Sequence, residues 1–434
     1  MSVNTKYLER SAEPEAARSA ELLLGRKFGQ FLAIPACGEH KLLPESFLAV
    51  EKACKNRPTL LVLVINENRS SQHLYSDSNQ KTLAWLAELL SISSDSHMQV
   101  ADRNSLCVLV INRCGERAFP EKQGVGLSRK IGNDIGAMLF SKGIVCTPWL
   151  HNTDADAKIP YNFFEQASPY TNLKKPPAAL LYNFLHHNDD KEASDKHWQA
   201  AISYEIWLRY YVLGLRHARS HCAYQSVGST ICSHAVYYTR AHGFPKKAAG
   251  EDFYLLNKMH KLSPLHSLKG EPIQLTNRVS ARVPFGTGQG TQKIVENSAD
   301  GGQHLIYHPK CFEALKCFLI WIQKGDLTLS AIPDDFETSV RVATDGLIKH
   351  YDLGALKRQL EQAKTRARSQ HQEIIEFHRW FDSFLTLKSI HFLRDNFFSN
   401  LPVKDALGQA SFISCPLRES LFSNLTELRR LELS

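Results

Sequence analysis

The chain has 434 residues, 43% hydrophobic and 22% charged, which is enough to bury a full core and too long for one ordinary domain, so two domains of unequal size are expected. Its formal net charge of +8 suits a phosphate-bearing ligand or peripheral contact with an anionic membrane, but the basic residues form no dedicated tract and nucleic acid is not expected as a partner. The N-terminus lacks the basic, apolar, small-residue order of a signal peptide, and runs such as Thr59 to Ile65 fall far short of the roughly 20 apolar residues of a spanning helix, so a cytoplasmic chain is expected.

From Lys27 to about Arg282, short β-branched runs alternate with longer amphipathic segments, the pattern of an α/β sheet covered by helices. Phe31 to Pro35, Thr59 to Ile65 and Leu106 to Ile111 read as strands that end in polar residues, with a helix between the second and third. Gly124 to Lys142 puts Leu127, Ile131, Ile135, Met138 and Leu139 on one helix face, leaves the opposite face polar and stops at Gly143. Ile144 to Trp149 follows as a strand running into Asp154 and Asp156. Ala178 to Leu185 and Gly228 to Tyr238 read as further strands, Ala200 to Arg219 as a long helix, and Gly250 as the residue before another helix.

Beyond the Gly-rich segment Phe285 to Gly290 the texture turns helical. Pro309 opens a helix that Gly325 closes, Leu356 to Leu387 is long and charge-rich, and Leu417, Leu421, Leu425 and Leu428 form an apolar stripe behind Pro416. The expected division is an extension over 1–27, an α/β domain over 28–295 and a helical domain over 296–434. The stripe suits either the core of that last domain or a surface for self-association. The ten cysteines include no C-x-x-C pair or zinc-ligand spacing, so they are expected as reduced, packed thiols.

Two acidic sites carry the chemistry. Asp154 and Asp156, one small residue apart at the end of a strand, can hold a hard divalent cation with positions left open for diphosphate oxygens. An Asp-x-Asp also serves turns and helix caps; its delivery by an apolar strand favours the cation. Glu251 and Asp252 open a helix, where acidic side chains favour the dipole, yet Gly250 before them and Phe253 and Tyr254 after them also suit a water-shielded general base. Arg129 and Lys130, near a helix N-terminus, can meet phosphate oxygens or form a solvated face.

In order and spacing these motifs resemble the family-2 glycosyltransferases over about residues 28 to 290. Ile34-Pro35-Ala36-Cys37-Gly38-Glu39 is similar to the family's first-strand nucleotide motif, with Cys37 and Gly38 in place of the usual residues, and Asn66 stands where the family has base- and ribose-binding aspartates. Gly124 to Asp134 resembles its Gly-x-x-x-Ala-Arg-Asn helix and Asn152 to Ala157 its Asp-x-Asp. Gly228 to Arg240, Gly243-Phe244 and Gly250-Glu251-Asp252 resemble its acceptor-side strand, Gly-Gly-Phe turn and Glu-Asp motif.

The resemblance implies a GT-A fold, a Rossmann-like mixed sheet with helices on both faces, followed by an all-α domain. It implies a UDP- or GDP-linked sugar donor bound by Pro35, Glu39, Asn66, Arg129 and Asp154. Mn2+ or Mg2+ would sit on Asp156 and Asp154, and Asp252 would act as the base of an inverting transfer beside Glu251. The acceptor could be a glycan, a lipid or a small molecule. Glu376 to Trp380 only superficially resembles the Gln-x-x-Arg-Trp motif of processive members, so a non-processive hexosyltransferase is expected. A sugar nucleotidyltransferase is the second enzyme reading, although Ala36 to His40 makes a poor Gly-rich loop. A non-catalytic scaffold that binds nucleotide sugars is the third.

Overall fold

The computed structural model describes residues 2–188, 195–277, 287–299, 302–325, 327–414 and 418–434. Arg282, Phe285, Gly286, Pro416 and Leu417, expected at the domain boundary and in the C-terminal stripe, lie outside the described residues. The chain forms two compact units, Met1–Ala193 with Ser226–Gln289 and Ser194–Gln225 with Gly290–Ser434.

The first unit opens with helices α1 (Thr5–Arg10) and α2 (Pro14–Leu22). Strand β1 (Gln30–Ala36), α3 (Leu43–Ala53), β2 (Thr59–Asn66) and α4 (Gln72–Leu90) lead to the hairpin β3 (Met98–Arg103) and β4 (Leu106–Arg113). Helix α5 (Val125–Ser141), β5 (Trp149–Asn152), β6 (Ala179–Leu181) and β7 (Phe184–His187) follow. The next helix, α6 (Asp195–His217), belongs to the second unit. The first unit resumes with β8 (Ile231–His234), α7 (Ala235–Arg240), α8 (Glu251–His260), β9 (Leu265–Ser267) and β10 (Ile273–Thr276).

Its sheet is mixed, in the order β3-β4-β2-β1-β5-β8-β6-β9. Strands β4, β2, β1 and β5 run parallel, while β3 and β8 run antiparallel to their neighbours. Strands β1 and β2 are buried along their whole length, as their unbroken apolar runs require of a sheet covered on both faces. The chain steps outward from β1 through β2 to β4, then returns by α5 to β5 on the far side of β1. Right-handed crossovers therefore put α3 and α4 on one face and α5 on the other, and the C-terminal ends of β1 and β5 flank the switch point where such sheets bind ligands.

Pro35 fits this position. The Ala33 carbonyl accepts from Thr153 N at 3.3 Å, so Ala33 and, two residues on, Pro35 face β5. That strand ends at Asn152, so the missing N–H of Pro35 costs no ladder bond and the crevice opens there.

Several expected elements move. The strand predicted over Ile144 to Trp149 begins only at Trp149, after a lone bridge from Val145 to Phe28. It continues through His151 and Asn152, buried polar residues that hydropathy does not score as strand. Ala178 to Leu185 divides at Tyr182 and Asn183 into β6, in the main sheet, and β7, which pairs with β10. Gly228 to Tyr238 yields a short strand and then helix α7, tertiary packing overriding aromatic and β-branched propensity. The hairpin strand β3, half exposed at the edge, was not expected.

The polar face expected on α5 exists but is not solvated: Ser128, Arg129, Lys130, Asn133 and Asp134 are all buried. Residues 1–27 are not an appendage. Asp134 accepts from Tyr7 Oη at 2.5 Å, Tyr238 Oη at 2.9 Å and Glu13 N at 2.9 Å, and pairs with Lys130 at 2.7 Å. These bonds stitch the N-terminal segment to α5 and α7.

The second unit is helical apart from a short pair, β11 (Leu305–Ile306) and β12 (Leu401–Pro402). After α6 come α9 (Thr287–Ala299), α10 (Pro309–Lys324), α11 (Thr338–Tyr351), α12 (Leu353–Arg366), α13 (Gln370–Trp380), α14 (Ser383–Asn396), α15 (Val403–Gln409) and α16 (Leu421–Leu433). Helix α10 starts at Pro309 under a His308 cap and ends at Gly325 in the left-handed region. The long helix predicted from Leu356 is three helices, because Ser369 and Asp382 each accept backbone N–H groups as N-caps.

Helix α6, expected in the α/β domain, lays Ile202, Ile206, Tyr210 and Leu213 into the core of the second unit. Leu425 and Leu428 are buried in the same core and Leu421 packs against it, so this part of the C-terminal stripe is occupied within its own unit. Between α6 and α16, buried Glu205 holds Arg209 at 2.8 Å and Arg429 at 2.7 Å. Among the described residues no helix is long and apolar enough to cross a membrane.

Candidate active site

Helix α5 rests directly on the sheet because two of the residues that face it have no side chain. A Cβ on Gly132 would stand 2.6 Å from Ala33 Cβ, and one on Gly136 would stand 2.6 Å from Phe31 and 2.8 Å from Leu150. The helix is also tied to β5 by a reciprocal amide pair: Asn133 Nδ2 donates to Asn152 Oδ1 at 2.6 Å and Asn152 Nδ2 to Asn133 Oδ1 at 3.1 Å. Both amides are fully buried. Arg129, one turn nearer the helix N-terminus, is thereby held beside the segment that leaves β5.

The Arg129 guanidinium, 4% exposed, gathers acidic groups from distant parts of the chain. Its Nη2 meets Asp154 Oδ1 at 2.7 Å and its Nε meets Glu251 Oε1 at 3.0 Å. Burial alone would lower the Arg129 pKa, but the charges of Asp154, Glu251 and Asp252 outweigh it and the net direction is upward. The third nitrogen, Nη1, is buried and has no hydrogen-bond partner among the described residues. A buried polar group without a partner calls for a ligand or water; the structure has others elsewhere, and at this site the hydroxyl of Thr153, immediately before Asp154, is another.

Gly228 closes the other side. A Cβ there would stand 2.7 Å from Arg129 Nη2 and 2.9 Å from its Cζ. Gly228→Ala should therefore push the guanidinium off its carboxylates, lowering turnover about tenfold or more and lowering the melting temperature as well, because a buried ion pair is disturbed; steady-state rates alongside a thermal melt check this.

Glu251 and Asp252 start α8 after Gly250, whose φ of 73° suits a residue without a Cβ. Burial pushes the Glu251 carboxyl up to about 7, the charge of Asp252 adding to the shift and Arg129 opposing it. Burial also raises Asp252; the Phe253 N–H, which donates to its Oδ1 at 2.7 Å, and Arg129 oppose this, while Asp154 adds to it. Two interacting carboxyls both held above their ordinary range titrate as a pair, and the pair accepts a proton only in the form that has already lost one.

Asp154 is 37% exposed. Asp156 accepts from Thr276 Oγ1 of β10 at 3.2 Å, and the alanines on either side of it are buried while both aspartates are half-exposed. Two carboxylates are a donor set of the right chemistry for Mg2+ or Mn2+. No group of three His, Cys, Asp or Glu side chains that could hold a metal occurs among the described residues, so the remaining ligands would be water and phosphate oxygens.

The other expected site residues fare differently. Glu39 is buried in the loop after β1. Asn66 spends its amide on the protein, donating to Ala36 O at 3.1 Å, Val64 O at 3.0 Å and Ser128 Oγ at 3.1 Å, so it ties together the ends of β1 and β2 and helix α5 rather than presenting donors to a base. Lys130 turns away from the crevice to Tyr7 Oη at 2.7 Å and Asp134 at 2.7 Å. The N-terminus of α5 is not open to phosphate either, because Gly126 N donates to Lys247 O at 3.1 Å. Sequence reasoning missed the Asn133–Asn152 pair and the contact of Gly228 with Arg129. The only sign of the first was an Asn one turn after Arg129 on a largely apolar helix.

No family model matches the chain, and no curated protein matches it. Among solved structures, a crystal structure of S. aureus TarS 1–349 is similar over 77% of this chain and 91% of its own, at 11% identity and a TM-score of 0.37. A mannosyltransferase, PcManGT from Pyrobaculum calidifontis in complex with GDP-Man and Mn2+, is similar over 88% of this chain and 93% of its own, at 12% identity and a TM-score of 0.35. Likenesses this faint carry no weight for the chemistry, which rests on the site itself.

Proposed function

We propose that the chain is a GT-A-type glycosyltransferase of the non-processive hexosyl kind, moving a sugar from a UDP- or GDP-linked donor to an acceptor hydroxyl with inversion. The observation that carries this is Arg129, a buried guanidinium held between Asp154 and Glu251 with one donor to spare, at the point where an α/β sheet binds ligands. A nucleoside diphosphate sugar brings the oxygens that such an orphan donor lacks.

Asp156 and Asp154 would hold a divalent cation, which when bound supplies charge neutralisation for the diphosphate. Pro35 and Glu39, at the end of β1, stand where the nucleoside would lie, and Asn66 supports that loop from below. Arg129 keeps Asp154 and Glu251 in place and offers Nη1 to a donor oxygen. Asp252 takes the acceptor hydroxyl proton as the new glycosidic bond forms, and the nucleoside diphosphate leaves with the electrons of the old one. Glu251, titrating as a pair with Asp252, sets the pH at which that base is free.

The test is slow donor hydrolysis in water. UDP-glucose, UDP-N-acetylglucosamine and GDP-mannose are each incubated with Mn2+ and with chelator, and nucleoside diphosphate release is measured. At least one donor should be hydrolysed only with the metal, and the absence of both binding and turnover across the panel would refute the reading. Consumption of a nucleoside triphosphate instead would favour the nucleotidyltransferase. Asp156→Ala should abolish the metal dependence of donor binding together with most of the affinity, and Asp154→Ala should do less; calorimetry giving equal affinities in Mn2+ and chelator would remove the metal from the mechanism.

A further inference from the structure

The loop from Gly243 to Gly250, which delivers Glu251 and Asp252, has no regular structure of its own between α7 and α8. It is gripped from two sides within the first unit. On one side is the start of α5: Gly126 N donates to Lys247 O at 3.1 Å, Gly126 lies against the carbonyls of Pro245 and Lys247, and Gly124 lies 3.2 Å, measured from a Cβ built there, from Ala248 Cα.

On the other side is the N-terminal segment. The Tyr7 hydroxyl occupies the space where a side chain on Gly243 would go, and Lys246 Nζ meets Glu13 Oε1 at 2.7 Å. Neither anchor is loose. Tyr7 Oη and Glu13 N both donate to buried Asp134, at 2.5 and 2.9 Å, and Lys130 Nζ donates to Tyr7 Oη at 2.7 Å and Ser11 O at 2.9 Å.

We infer that residues 4–13 form a brace that sets the position of the Glu251–Asp252 pair, and that Lys246 is a positioning residue through its ion pair with Glu13. The chain of support runs from Asp134 on α5 through Tyr7 and Glu13 to the loop, while Arg129, one turn away on the same helix, grips Glu251 from the front. The acidic pair is thus located at both ends from a single helix, and the N-terminal segment closes the frame. The functional part of this inference rests on the proposed transfer reaction; the structural part does not.

Lys246 is 44% exposed, so its ion pair adds little to global stability, and Lys246→Met and Lys246→Arg are expected to fold with melting temperatures within about 3 °C of the native chain. Hydrogen exchange reads the brace directly. In Lys246→Met, amides over 243–252 should exchange about two- to fivefold faster while those of β2 and β4 keep their protection, because the opening is local. Lys246→Arg should restore the native rates.

Hydrolysis of whichever of UDP-glucose, UDP-N-acetylglucosamine and GDP-mannose the native chain turns over with Mn2+ reads the function. Lys246→Met should lower kcat about tenfold or more with KM unchanged within about twofold, the signature of misplaced groups rather than lost donor binding, and Lys246→Arg should recover most of it. Unchanged exchange over 243–252 in Lys246→Met would overturn the brace. Faster exchange with kcat intact would overturn the positioning role. Faster exchange in a chain whose native form hydrolyses none of the three donors would leave the brace standing and count against the transfer reading.

Discussion

Asp252→Asn is expected to keep the fold and the donor affinity while transfer falls by about 10² to 10⁴. Asn has the shape of Asp and also caps a helix well, so a carboxylate that merely orders the start of α8 would be replaced at little kinetic cost. A general base has no such substitute, because the amide takes up no proton in the useful range. The pH profile adds a sign. With Glu251 raised to about 7 by burial and by the neighbouring charge, and Asp252 raised as well, the pair holds a proton below that region, and turnover should climb as pH passes through about 7. Glu251→Gln should lose less activity than Asp252→Asn. Near-native transfer by Asp252→Asn, or a product that keeps the donor's anomeric configuration, would return Asp252 to a structural role.

Arg129→Met should destabilise the chain by about 3–5 kcal/mol at pH 8, the usual consequence of removing one partner from a buried ion pair. Most of this comes from Glu251, buried like Arg129, since Asp154 is more than a third exposed and its charge is screened. With the guanidinium gone, the Glu251 and Asp252 pKa values in the folded chain rise further above their unfolded values. Such groups stabilise the fold fully below the unfolded pKa and lose that contribution as pH rises through the folded one. The penalty should therefore be largest above pH 7 and shrink toward pH 5. Urea unfolding at the two pH values measures it, and equal stability of variant and native chain at pH 8 would show that Arg129 is not the counter-charge described. Arg129→Lys should not rescue, because a point ammonium cannot meet Asp154 and Glu251 in the forked geometry of Nε and Nη2.

How far the molecule could be read from its sequence depended on whether a residue's role was written in its neighbours. Strands β1, β2 and β4 are continuous apolar runs and stood out as such. Strand β5 did not, because His151 and Asn152 are polar residues whose burial depends on Tyr182, which bonds the ring of His151 at 3.1 Å, and on Asn133. Asp154 and the Glu251–Asp252 pair were visible as acidic residues at the end of a strand and the start of a helix, but their meeting at one guanidinium joins positions about a hundred residues apart and has no local signature. The first 27 residues looked detachable for the same reason: Tyr7 and Glu13 gain their meaning from Asp134 and Lys246. Helix α6 has an apolar face that announces burial without saying against what, and it was assigned to the wrong unit.

Helix α5 touches three different things on three sides: the sheet through Gly132 and Gly136, the N-terminal segment through Lys130 and Asp134, and the acidic groups and β5 through Arg129 and Asn133. Each residue added to or removed from a helix turns everything beyond it by about 100°. A one-residue insertion or deletion between Arg129 and Gly132 would thus leave Arg129 in place only by swinging the bare glycine face away from Ala33 and turning a bulkier side chain toward it. Kept on the sheet, the helix would instead carry Arg129 a quarter turn or more from Asp154 and Glu251. A substitution along this helix disturbs one contact at a time, whereas a change of length disturbs all three together, and the number of residues between Gly124 and Gly136 is constrained as tightly as their identity.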